Sequence, residues 1–138
     1  KFDDWMPGEY LDGNTGVNAG KTIQGWDANF YAAFVYGALG LKQVSATEIE
    51  LMPRIPDSES FETPIVLHSG QLRLTQRSEN GSLVVELTSR IGREMKVRYG
   101  AMTEKGIEGG SVCNIGNSRF CVIEFDLAPG ETRELVFK

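Results

Sequence analysis

The densest run of chemically able residues lies near the start of the chain. Pro7-Gly8-Glu9-Tyr10-Leu11-Asp12-Gly13-Asn14-Thr15-Gly16 sets carboxylates, a phenol and small polar side chains in a Gly-rich segment. Gly25-Trp26-Asp27-Ala28 follows and places an aromatic at the mouth of an expected helix. Sugar sites are assembled from such parts: a carboxylate for acid or base work, polar groups for hydroxyls, and an aromatic face for the pyranose C–H surface. On this reading Glu9 is a candidate catalytic carboxylate, and Tyr10, Asn14 and Trp26 are candidate substrate contacts. The plainer alternative is a structural turn in which Asp12 and Asn14 bond backbone groups.

The elements that must position these residues change character near residue 42. Residues 1–25 read as a long ordered loop, with room for one helical turn. A helix is expected next, with Asp27 as N-cap and Gly40 just past its end. Phe30, Ala33, Phe34, Gly37, Ala38 and Leu41 form one apolar stripe at helical spacing, yet Tyr31, Ala32, Val35 and Leu39 cover the other sides. A helix apolar all round must be surrounded, and a small sandwich covers one face only. The expectation is therefore a helical partner upstream.

From Glu48 the period becomes two, as in Glu48-Ile49-Glu50-Leu51, until Pro53 and Pro56 break the strand. Further strands are expected at 64–69, 71–77, 82–89, 94–102, 111–115, 119–127 and 132–137. Asn80-Gly81 is a strong hairpin signal, and Pro129-Gly130 marks another turn. About seven short strands at this spacing predict an antiparallel β-sandwich or barrel. The expected organisation is α+β, with a loop–helix segment at 1–41 and a β-sandwich at 42–138.

The motif residues resemble a known group. Glu9 followed closely by an aromatic, then Asp12, Asn14 and Thr15-Gly16, then Trp26 opening a helix, is similar to the late loop of inverting (α/α)6-barrel glycosidases: glucoamylases, trehalases and processing α-glucosidases. Gly37-Ala38-Leu39-Gly40-Leu41 and Ile49-Glu50-Leu51-Met52-Pro53-Arg54-Ile55-Pro56 resemble the barrel-to-β-domain passage of α-rhamnosidases and the disaccharide-phosphorylase family. The likeness covers roughly residues 7–56. It implies that residues 1–41 end an (α/α)6 barrel, that Glu9 is the general base, and that Trp26 walls the site. Tyr10 stands where an amide or Lys is more usual, and Asp27 where Ser or Thr is common. Inverting chemistry needs a second carboxyl about 6.5–9.5 Å away. That general acid is expected in an upstream barrel part of the same enzyme, so this chain alone is expected to be inactive. A phosphorylase of similar architecture needs no base carboxylate, so Glu9 weighs against it. The other alternative is a non-catalytic carbohydrate-binding or structural β-sandwich module.

Composition bounds these readings. The chain has 138 residues, 41% apolar and 24% charged, which suits a globular domain. Its net charge is −5, and no block of Lys and Arg suggests nucleic acid as a partner. No apolar run reaches the ~20 residues of a membrane-spanning helix. Lys1 without an initiator Met suggests a processed product or a fragment. No cofactor or metal motif is present. Cys113 and Cys121 flank a turn-like segment, which leaves open a disulfide across a hairpin or two buried thiols. His68 reads as a solvent-facing strand residue and Trp5 as a packing anchor. Arg90, Arg93, Lys96 and Arg98 read as one loose, solvated basic face.

Overall fold

The computed structural model describes residues 32–138 together with Tyr10–Leu11 and Asn18–Ala19. The chain divides into two compact units, Lys1–Phe34 and Val35–Lys138. In the first, β1 (Tyr10–Leu11) pairs antiparallel with β2 (Asn18–Ala19), Tyr10 opposite Ala19 and Leu11 opposite Asn18.

Alternation of apolar and polar residues builds two sheets in the second unit. One has five strands in the order β3 (Leu41–Gln43), β4 (Glu48–Leu51), β8 (Met95–Met102), β10 (Ser118–Leu127) and β9 (Ser111–Ile115). The other has four, in the order β11 (Thr132–Phe137), β7 (Ser82–Ile91), β6 (Gly70–Glu79) and β5 (Phe61–Leu67). Residues two apart share a face. Ile49 and Leu51, Met95, Val97, Tyr99 and Ala101 thus join Ile65, Leu72, Leu74, Leu83, Val85, Leu87, Leu135 and Phe137 in one core.

The expected α+β class with a terminal barrel helix is corrected by this architecture, which is nearly all β. Helical structure among the described residues is confined to Ala32 and a π-helical turn at Ala33–Ala38. The physical reason is local. Phe34-Val35-Tyr36-Gly37 strings together poor helix formers, and Gly40, at φ +57°, turns the chain directly into β3. A Cβ at Gly40 would lie 2.4 Å from the Met52 carbonyl oxygen, so only glycine fits there. The expectation of burial all round is corrected as well: Val35 and Leu39 enter the sandwich core, while Phe34 and Tyr36 are exposed. The expected Asp27 cap lies outside the described residues.

The strands from Phe61 onward fall close to their expected places, and the Asn80-Gly81 hairpin forms with both residues at positive φ and Glu79 opposite Ser82. Two features depart from expectation. β3 is an additional strand, and β4 runs parallel to β8, so the sandwich is not wholly antiparallel. The chain crosses to the other sheet after Leu51, makes the β5–β6–β7 meander, and returns as β8 beside β4.

A smaller apolar cluster sits on the reverse side of the five-stranded sheet, where Met52, Phe120 and Val122 pack with Met102 and Cys113. Gly100 makes its seat, since a Cβ there would meet the Met52 sulfur at 2.2 Å. Cys113 is opposite Phe120 in this register, and Cys121 is opposite Val112. The two thiols therefore point to opposite faces and are free.

Tyr99 is fully buried in the main core, and its hydroxyl has no hydrogen-bond partner. Desolvation pushes the phenol far above its ordinary value. Tyr99→Phe removes an unmet buried polar group while keeping the ring beside Phe137. We expect it to stabilise the fold by about 1 kcal/mol, read as a melting temperature higher by roughly 2–5 °C. A lower melting temperature would show that the hydroxyl is satisfied in solution.

Candidate functional site

Of the residues singled out in the amino-terminal run, Glu9, Asn14 and Trp26 lie outside the described residues, as does Trp5. Tyr10 is placed by its backbone alone, in β1 opposite Ala19. His68 is exposed, in the turn between β5 and β6 rather than within a strand.

The four basic residues do not form one face. Arg90 lies on β7 and Lys96 and Arg98 on β8, in different sheets, with Arg93 in the connection between them. Arg98 bonds Glu50 at 2.5 Å and lies 3.4 Å from Glu124, while Lys96 faces Glu48 at 4.0 Å. The reverse of the four-stranded sheet is similarly tied. Arg77 reaches Glu79 at 2.5 Å, Glu86 at 2.6 Å and Glu134 at 3.4 Å, and Arg73 pairs with Glu62. The large exposed apolar residue on that face is Val66, so among the described residues it offers no aromatic platform for a sugar ring.

A cleft of about 520 Å³ lies at one end of the sandwich. Three segments build it. Pro56-Asp57 belongs to the crossover after β4, Met102 to Lys105 lead out of β8, and Asn117 to Arg119 turn from β9 into β10. The first is pinned from inside, because the buried amide of Gln76 donates to the carbonyls of Pro56 (2.9 Å) and Glu59 (3.1 Å). The second is held by reciprocal backbone bonds between Gly106 and Lys138, at 2.9 and 2.8 Å.

Inside the cleft, Asp57 Oδ2 accepts from the Thr103 hydroxyl at 2.7 Å and from Lys105 Nζ at 2.6 Å. Thr103 is itself buried, and its Oγ1 accepts from the Lys105 amide at 3.1 Å. The Lys105 and Thr103 bonds hold the Asp57 carboxyl below its ordinary value. Across the opening, Arg119 bonds Glu104 at 2.5 Å. A carboxylate held in its charged form by two donors is a poor acid and a weak base. Among the described residues no group of three or more His, Cys, Asp or Glu is arranged to hold a metal. No described helix is long and apolar enough to cross a membrane.

No family model, no curated protein and no solved structure matches this chain.

Sequence reading did not find Asp57, Thr103, Lys105 or Arg119. Asp57 and Lys105 are 48 residues apart and meet only because β4 and β8 are neighbours in one sheet. The available signal was modest: polar clusters at Pro56-Asp57-Ser58 and Thr103-Glu104-Lys105, each just beyond an apolar strand.

The Asp57 bonds set a pH dependence. Its folded pKa is below its ordinary value of 3.8, so near that pH the unfolded chain binds more protons. The stabilisation is complete above pH 3.8 and is lost as pH falls through the lower folded value. Asp57→Asn should cost about 1 kcal/mol at pH 7, and the gap to the parent chain should narrow below pH 3.8. Thermal melts of both proteins across that range check it, and a gap independent of pH would contradict the assignment.

Proposed function

We propose that this chain is the C-terminal portion of a glycoside hydrolase, in which the β-sandwich is a non-catalytic module and the run around Glu9 contributes to the active site of the larger enzyme. The observation that supports the non-catalytic role is the state of the sandwich carboxylates. Asp57, Glu50, Glu62, Glu86 and Glu104 are all engaged with cations. Glu131 caps the Pro129-Gly130 turn by accepting from the Ala128 amide at 2.8 Å while bonding Arg133, which lowers its pKa. Carboxyls tied into ion pairs across strands and turns serve structure, whereas a general acid must be free to hand its proton to the leaving group. The link to glycosides rests on the resemblance of residues 7–56, which makes Glu9 the candidate base and Trp26 a wall of the site, with Tyr10 and Asn14 candidate substrate contacts by residue type.

Two measurements test this proposal. The 138-residue chain alone should turn over neither aryl glycosides nor disaccharides, because on this proposal the general acid comes from the rest of the enzyme. Turnover proportional to chain concentration would refute the division of labour. In the intact enzyme, Glu9→Gln keeps size but cannot take a proton from water. Removal of a base costs about 10²–10⁴-fold in kcat with KM little changed. A variant that melts normally and keeps more than about a tenth of its rate would remove Glu9 from catalysis.

A further inference from the structure

We infer that the cleft between Pro56-Asp57, Thr103–Lys105 and Asn117–Arg119 is a second, non-catalytic carbohydrate site that takes one or two units of an uncharged saccharide. The inference deepens the proposed function and rests on it for the ligand class, but its location comes from the cleft alone.

Charge selects first. Two carboxylates, Asp57 and Glu104, face two cations, Lys105 and Arg119, and they are matched pair by pair at 2.6 and 2.5 Å. The site has no net charge to offer a phosphate or a metal ion, and either would have to break a pair to bind. A vicinal diol makes no such demand. Each hydroxyl both donates and accepts, so it can bond a carboxylate oxygen and a neighbouring ammonium or guanidinium hydrogen without separating them. The exposed Asn117 amide and the half-buried Ser118 hydroxyl extend the same mixed pattern along the rim.

Shape and surface select next. The volume of about 520 Å³ lies within the ~300–1,000 Å³ range of small-molecule sites. The exposed ring of Pro56 and the half-buried Met102 provide apolar surface for sugar C–H groups. The walls are preorganised, since the Gln76 amide fixes one loop and the Gly106–Lys138 bonds fix another. The cleft is open to solvent and lacks an aromatic among its described lining residues, so binding should be weak, with Kd about 1–10 mM.

The test uses the whole chain, isotope-labelled for NMR and titrated with maltose, trehalose and rhamnose, with glucose 6-phosphate as a charged comparison. At least one uncharged sugar should shift the amides of Thr103, Lys105, Asn117 and Arg119. Asn117→Ala and Arg119→Ala should each weaken binding by about tenfold while melting normally. Arg73→Ala, on the reverse of the other sheet, should leave the titration unchanged. No shift with any of the three sugars overturns the inference, as do shifts that survive both cleft variants. Tenfold tighter binding of glucose 6-phosphate overturns it in favour of an anion site. If binding fails while Glu9→Gln still cripples the intact enzyme, the cleft proposal falls and the glycosidase reading stands. If the cleft binds sugar and Glu9→Gln is silent, the cleft stands and the catalytic role of Glu9 falls.

Discussion

A buried amide fixes the crossover at one end of this sandwich. Gln76 points inward from β6, where its neighbours on the same face are leucines. A polar group there is costly unless it is bonded. Its Nε2 donates to two backbone carbonyls of the crossover between the sheets, those of Pro56 and Glu59. The crossover carbonyls gain partners, the amide is satisfied, and Asp57 is brought to where Lys105 and Thr103 can reach it. The apolar strand positions explain that two sheets pack. This polar contact explains why the loop linking them takes one course.

On the outer faces the ordering principle is charge. The chain carries 19 acidic and 14 basic residues, and on the sandwich these meet across neighbouring strands. Arg98 lies between Glu50 and Glu124 on flanking strands, and Arg77 draws in acids from β6, β7 and β11. Exposed pairs contribute little stability each. Their collective effect is on register, because a strand shifted by one residue would carry the charges inward.

The β part of the fold was legible because its signals are local. Period-two alternation predicted strands at 82–89 and 132–137, which form as Ser82–Ile91 and Thr132–Phe137, and Asn80-Gly81 located its hairpin through the positive φ that both residues tolerate. The segment from Ala32 to Leu39 misled for the opposite reason. Its apolar spacing fits a helix, but spacing does not reveal that Val35 and Leu39 would find a sheet to pack on while Tyr36 stays in water. The cleft was hidden because its pairs span 46 and 48 residues, distances that only the parallel β4–β8 pairing closes. Parallel pairing has no short turn to announce it. The Glu9 run, apart from Tyr10–Leu11, lies outside the described residues.

The opposed orientation of the two cysteines gives the molecule a built-in reporter. Cys113 sits half-exposed on edge strand β9, while Cys121 is sealed in the main core. A thiol-reactive dye in water meets the first directly. It reaches the second only when the sandwich opens, so the second labelling event counts openings of the native state. Because the side chains leave adjacent strands in opposite directions, oxidation cannot join them within the folded chain and silence that clock.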